Sequence, residues 1–92
     1  MSDIKRYHIE VFGKVQGVFF RKSTQKRAEH YDVTGYVKNR DDGSVEIEAE
    51  AAQSKIEQLL EWCKKGPERA NVSHVEVKEV SLKDSTSFEI IY

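Results

Sequence analysis

The chain has 92 residues, of which 34% are charged and 38% hydrophobic, with a formal net charge of -1 at pH 7. This length corresponds to one domain over residues 1–92, and apolar residues spread along the whole chain argue against disorder. A net charge near zero lacks the basic excess of a nucleic-acid-binding protein, so we expect no nucleic-acid partner.

The single cysteine and the first residues bear on the cellular compartment. Cys63 has no second cysteine with which to form an intrachain disulfide, which fits a reducing compartment. The run Met1–Arg6 lacks the apolar stretch of a signal peptide. No apolar stretch approaches the roughly 20 residues that cross a bilayer. We therefore expect a cytoplasmic protein without a membrane partner, with a monomer as the default for this size.

A strand and a helix are predicted in the first third of the chain. The strand alternates from Tyr7 to Phe12 and ends at Gly13. A loop over residues 14–20 follows it. The helix is predicted from about Arg21 to Tyr31, with Asp32 at its C-terminal cap because Asp tolerates the left-handed conformation.

Two strands joined by a tight turn come next. The second strand is predicted over Tyr36–Asn39, and Arg40–Gly43 contains the Asp-Gly pair typical of a hairpin. The third strand, Ser44–Glu50, alternates between an apolar face and an acidic one. This pattern is typical of an antiparallel sheet with one solvated face. We expect that face to carry Glu46, Glu48 and Glu50.

The second helix is the clearest element of the chain. It is predicted over Ser54–Lys65, with Ser54 as its N-cap and Gly66-Pro67 ending it. Its apolar stripe at helical spacing comprises Ile56, Leu59, Leu60 and Cys63. A fourth strand follows over Val72–Val80, and Phe88–Tyr92 forms a short final strand or extends the sheet edge.

The element order predicts the fold class. Strand, helix, strand, strand, helix, strand is the βαββαβ order of an α+β, ferredoxin-like two-layer sandwich. We expect an antiparallel sheet with two helices packed on one face.

The segment from Gly13 to Arg21 is the main candidate for a binding site. Residues 11–28 carry five basic side chains and no acidic one. Backbone N–H groups of such a loop and of the following first helical turn form an anion site, to which Arg21 adds a planar fork. The same pattern is also typical of an ordinary turn, so the residues alone define only a candidate phosphate cradle.

Two long runs, Gly13–Arg21 and Gly35–Glu46, closely resemble the signatures of the acylphosphatases, and Trp62 and Gly66-Pro67 also match that family. The resemblance implies a ferredoxin-like hydrolase that needs no metal or cofactor. Such an enzyme would cleave the carboxyl–phosphate bond of a small-molecule acyl phosphate, giving carboxylate and inorganic phosphate. We expect inorganic phosphate also to inhibit, since it would fill the same cradle. The loop backbone would bind the phosphate through Val15, Gln16, Gly17, Val18, Phe19 and Phe20.

The resemblance also assigns two side-chain roles, phosphate binding by Arg21 and orientation of the attacking water by Asn39. By spacing alone, Asn39 before an Asp-Gly turn fits a turn residue equally well. The sequence departs from the family at three positions outside the loop, which puts local backbone details in doubt: Asp32, Tyr36 and Ala51. The histidines lack metal-ligand spacing, so we expect no metal site at His8, His30 or His74.

Two other interpretations stay open. Ferredoxin-like sheets also bind RNA through exposed strand aromatics, which here would be Tyr7, Phe12 and Tyr36, although the acidic third strand would repel phosphates. The loop could also serve a phosphate sensor or partner domain without catalysis. Lys22, Lys26 and Arg27 either steer an anionic substrate or form a solvated helix face.

Overall fold

Residues 3–92, the part of the chain that the computed structural model describes, form seven regular elements. They are β1 (Ile4–Lys14), α1 (Phe20–His30), β2 (Thr34–Asn39), β3 (Val45–Ala52), α2 (Gln53–Lys65), β4 (Asn71–Val80) and β5 (Phe88–Ile91). Met1 and Ser2, which belong to the predicted domain and to the N-terminal run considered above, lie outside the described residues. Within residues 3–92, no helix is long and apolar enough to cross a membrane.

The strands form one sheet in the order β4-β1-β3-β2-β5. β1 pairs antiparallel with β3 and β4, and β2 pairs antiparallel with β3, so the predicted sandwich is confirmed. The sheet is mixed rather than purely antiparallel, because β5 pairs in parallel with β2. The last residue of β4, Val80, and the first residue of β2, Thr34, lie at the same end of the strands but toward opposite edges of the sheet. The segment 81–87 therefore crosses to the far side and enters β5 alongside β2.

Apolar residues from the sheet and both helices meet in one layer. The strand faces predicted from period-two alternation are confirmed, since Ile9, Val11 and Ile47 are fully buried. The helix stripe is also confirmed at Ile56, Leu59 and Cys63. The core of a chain this short is thin. The sheet therefore presents its other face outward, without helices.

That outer face corrects the prediction of exposed glutamates. Glu48 and Glu50 are only 8% and 6% exposed. The Arg6 guanidinium, itself 2% exposed, donates to Glu48 Oε1 at 2.7 Å and to Glu50 Oε1 at 2.9 Å. The backbone N–H of Lys83 donates to the same Glu50 oxygen at 2.9 Å. The crossing segment 81–87 therefore covers the acidic stripe, and Arg6 balances its charge.

The start of α2 differs in detail from expectation, whereas the end of α1 agrees with it. The N-cap of α2 is Ala52, without a side-chain hydrogen bond, so Ser54 lies inside the first turn rather than at the cap. One N–H of that turn is satisfied instead by the backbone, with Gln53 N donating to Asp3 O at 3.2 Å. After α1, Asp32 adopts φ 58°, which confirms the left-handed conformation expected there.

Candidate active site

The loop between β1 and α1 is anchored by its apolar side chains. Val15, Val18 and Phe20 are buried in the core. The Phe20 ring packs against Trp62 of α2 with the ring centroids 5.5 Å apart. Because these side chains turn inward, the backbone of the loop is left to form its outer surface.

Two residues of this loop have left-handed backbone conformations. Gly17 has φ 72°, and a side chain there would meet no atom within 4 Å, so its role is conformational freedom. Phe19 has φ 63° as the N-cap of α1 and is 75% exposed. Left-handed residues within a loop are typical of concave backbone sites for anions, and the first N–H groups of α1 have no partner within the helix.

Arg21 and Asn39 come to this loop from different elements. Arg21 lies in the first turn of α1, and Asn39 is the last residue of β2, where it pairs with Val45 of β3. Both side chains are half-buried. They line one cavity of about 320 Å³, together with Val15, Gly17, Phe19, Phe20, Lys22, Ile90 and Tyr92.

Two predicted loop residues do not line that cavity. The Val18 side chain lies in the core. The Gln16 side chain instead donates to the carbonyls of Arg40 and Ser44 in the turn between β2 and β3. The backbone amides of both residues nevertheless belong to the same loop.

Sequence reasoning missed two lining residues, Ile90 and Tyr92. They belong to the segment at and beyond β5, whose parallel pairing with β2 carries it to the site. The tyrosine ring lies under the Arg21 guanidinium, with Cζ 4.8 Å from the ring centroid. Local periodicity carries no signal for this contact, because it depends on which sheet edge the strand joins.

The charge of the cavity is positive. Arg21 and Lys22 line it, and within the described part of the chain no Asp or Glu side chain is among its lining residues. This distribution favours an anionic ligand.

A second, larger hollow of about 580 Å³ lies between α1 and α2. Its basic residues are Lys26, Arg27 and Lys65, beside Trp62 and Glu68. Lys65 stands in the last turn of α2, where a cation complements the helix dipole. Neither the glycine-bearing loop nor Asn39 contributes to this hollow.

One group on the outer face of the sheet has the residue types of a metal site. Ligand atoms of His8, Glu46 and Glu48 lie within 4.8 Å of one another. Burial opposes ionisation of Glu48, but hydrogen bonds from Arg6 and His8 outweigh it and lower its pKa to about 2. The resulting carboxylate is already paired with Arg6, so the group acts as part of the ion-pair network of that face.

Comparisons with known proteins agree with this fold. A protein-family model described as Acylphosphatase matches residues 7–90. An acylphosphatase of Marinobacter nauticus is 48% identical over 86 residues, covering 92% of this chain and 94% of the relative. The solved structure of an acylphosphatase from Coxiella burnetii is 42% identical, with a TM-score of 0.93, covering 97% of this chain and 94% of that one.

A second solved structure, an acylphosphatase from Bacillus subtilis, also has a TM-score of 0.93. It is 40% identical, and the match covers 98% of this chain and 100% of that chain. The fold and the basic cavity define a ferredoxin-like protein with a candidate anion site. The chain belongs to the acylphosphatase family.

Proposed function

We propose that this member of the acylphosphatase family hydrolyses acyl phosphates by binding the phosphate in the loop 15–20 and orienting a water with Asn39. The observation that carries the proposal is the shared cavity. One concave site contains the glycine-bearing loop, the Arg21 guanidinium and the Asn39 side chain, with no acidic lining residue in the described chain. Family membership supports the hydrolase activity itself.

In this proposal the phosphate group of the substrate binds in the basic part of the cavity. Arg21 provides several N–H donors in a planar fork that matches two phosphate oxygens, while the loop and first-turn amides bind the remaining oxygens. Lys22 adds a second positive charge at the rim. The acyl group would then point toward solvent past Phe19 and Tyr92, which are 75% and 94% exposed.

Hydrolysis of an acyl phosphate needs few further catalytic groups from the protein. A carboxylate is a good leaving group and needs no general acid. Arg21 and the loop amides would neutralise the phosphate charge, so we propose no metal or cofactor for this step. The phosphate oxygens of the substrate accept the proton of the attacking water. What the protein supplies is position and electrostatic stabilisation, which dominate catalysis of phosphoryl transfer. Asn39, with both a donor and an acceptor, suits the orientation of that water.

An RNA-binding role for the sheet has less support. The helix-free face does carry aromatic rings, since Phe12 stacks on His74 with centroids 4.4 Å apart. However, the segment 81–87 covers the part of that face that holds Arg6, Glu48 and Glu50, so RNA could not reach it. We therefore propose no nucleic-acid partner. A single cysteine, buried at Cys63, agrees with our further proposal of a cytoplasmic monomer.

Inhibition by inorganic phosphate tests the site. The proposal expects hydrolysis of benzoyl phosphate in the presence of a metal chelator, with competitive inhibition by phosphate because product and substrate share the cradle. Non-competitive inhibition would place the phosphate elsewhere. A folded protein without turnover that still binds phosphate would instead support a phosphate-sensing domain.

A further inference from the structure

Gln16 turns its side chain away from the cavity and toward the β2–β3 hairpin. Its Nε2 atom donates to Arg40 O at 2.8 Å and to Ser44 O at 2.9 Å. Both hydrogens of the amide are thus used, and the two acceptors belong to a different part of the chain. Gln16 is half-buried, so water competes only weakly for these bonds.

The two carbonyls lie on opposite sides of the turn between β2 and β3. Ser44 O already accepts from Arg40 N at 2.9 Å, and Arg40 O accepts from Gly43 N at 3.1 Å. A carbonyl oxygen has two lone pairs, so Gln16 fills the second position on each. Asparagine is one methylene too short for this reach, and glutamate has no donor when ionised.

These contacts lie directly beside Asn39. Asn39 immediately precedes Arg40, and its ladder partner Val45 immediately follows Ser44. The Gln16 amide therefore binds the backbone next to Asn39, at Arg40, and the backbone next to Val45, at Ser44. The main chain of Gln16 belongs to the loop that ends at Arg21. One side chain thus joins the two halves of the site.

We infer that Gln16 is a positioning residue that fixes the Asn39 end of β2 relative to the phosphate loop. The inference rests on the proposed roles of that loop and of Asn39. Loss of the amide leaves Arg21 and the loop N–H groups in place, so phosphate affinity is retained. The water held by Asn39 loses its fixed geometry, and small misplacements are costly in reactions that depend on positioning.

The test compares Gln16→Met, which keeps the side-chain length without donors, with Gln16→Asn, which keeps the donors without the reach. Thr34→Val is the matched control. It removes two hydrogen bonds of Thr34 Oγ1, one to Glu50 O at 3.2 Å and one with Ser85 Oγ at 2.6 Å, at the other end of the same strand. For each protein we would measure kcat with benzoyl phosphate and the inhibition constant of inorganic phosphate. Urea unfolding would establish that each variant is folded.

Both Gln16 variants should lower kcat by about tenfold, because the two hydrogen bonds that fix the Asn39 end of β2 are lost, whereas the phosphate inhibition constant changes by less than about twofold. Thr34→Val should lose stability and keep kcat. Equal kcat in the parent and both folded Gln16 variants would overturn the positioning role while leaving the hydrolase intact.

A second readout does not depend on catalysis. In the NMR spectrum of the free protein, the Asn39 side-chain amide should give one sharp pair of signals in the parent and in Thr34→Val. The Gln16 variants should broaden, double or shift that pair. If the parent hydrolyses no acyl phosphate but the Gln16 variants change the Asn39 signals in this way, the proposed function fails and the positioning inference stands. An unchanged Asn39 signal in both Gln16 variants would contradict the inference directly.

Discussion

The Arg21 guanidinium lies over the ring of Tyr92, with Cζ 4.8 Å from the ring centroid. Arg21 is on the first turn of α1, whereas Tyr92 follows β5, and the two meet because β5 joins the β2 edge of the sheet. A cation above an aromatic face is attracted by the ring quadrupole. The tyrosine ring therefore restricts the orientation of the guanidinium at the candidate phosphate site.

Replacing Tyr92 tests this contact. An exposed cation–π pair contributes about 0.5–1 kcal/mol, so Tyr92→Ala should weaken inhibition by inorganic phosphate by about two- to fivefold. Tyr92→Phe keeps the ring and should bind phosphate like the parent. Equal loss in both variants would show that the hydroxyl, rather than the ring face, supports Arg21.

Two glycines of the β1–α1 region should respond differently to alanine. A Cβ at Gly13 would lie 2.2 Å from Asn71 O, on backbone that cannot move without breaking the β1–β4 pairing, so Gly13→Ala should unfold the domain. At Gly17 a Cβ would meet nothing within 4 Å. Gly17→Ala should therefore cost only about 1–2 kcal/mol of unfolding free energy, for the left-handed φ. Urea unfolding of the two variants checks the contrast, and similar losses would contradict it.

Acid should weaken the ion-pair network on the outer face. The folded pKa of Glu48, about 2, lies below the ordinary value of 4.5. A lowered folded pKa stabilises the fold fully above the unfolded pKa, and that stabilisation is lost as pH falls from about 4.5 toward 2. Its size is on the order of 3 kcal/mol.

Glu48→Gln isolates this effect. At pH 7 the variant should be less stable by about 3 kcal/mol, since the buried Arg6 loses one carboxylate partner. Below pH 4.5 the gap between parent and variant should narrow, because protonation removes the same charge from the parent. Unfolding free energies measured in urea from pH 7 to pH 2 would test this. A gap that stays constant over the whole range would exclude Glu48 as the titrating group.

Cys63 should behave as an inert core residue. It is fully buried, and burial raises the pKa of its thiol to about 12. Since the thiolate is the reactive form, a thiol reagent such as Ellman's reagent should not react with the native protein at pH 8. With denatured protein the reagent should release one equivalent of thionitrobenzoate per chain, matching the single cysteine. Rapid labelling of the native protein would contradict the buried position.

Much of the fold follows from local sequence patterns. Period-two alternation through Ile9 and Ile47 marked the buried strand faces, and the helical stripe through Leu59 marked the buried face of α2. Both patterns report burial of one face, which is a local property. The Asp-Gly pair likewise marked the turn before β3, where Gly43 has φ 93°.

Features that depend on distant pairing could not be predicted in this way. The parallel edge position of β5 is set by the path of the chain after β4, and the burial of Glu48 and Glu50 follows from that same path. Tyr92 reaches Arg21 for the same reason. The alternation in β3 indicated two faces but could not show that the crossing segment covers the acidic one.

The candidate site likewise has parts that the sequence predicts and parts that it does not. Arg21 and Asn39 could be named because two sequence runs resemble a family signature, and the structure brings them to one cavity. The direction of the Gln16 side chain could not be read from those runs, since it depends on the hairpin that packs beside the loop.

The most direct test of the central claim is hydrolysis of benzoyl phosphate by the parent, Arg21→Ala and Asn39→Ala proteins, with a metal chelator present. We predict chelator-resistant turnover by the parent. Arg21→Ala should lose activity together with phosphate binding. Asn39→Ala should lose about 2.7–4 kcal/mol of transition-state stabilisation, mainly in kcat, while still binding phosphate. Normal turnover by a folded Asn39→Ala protein would contradict the water-orienting role, and no turnover by the folded parent would contradict the proposed activity.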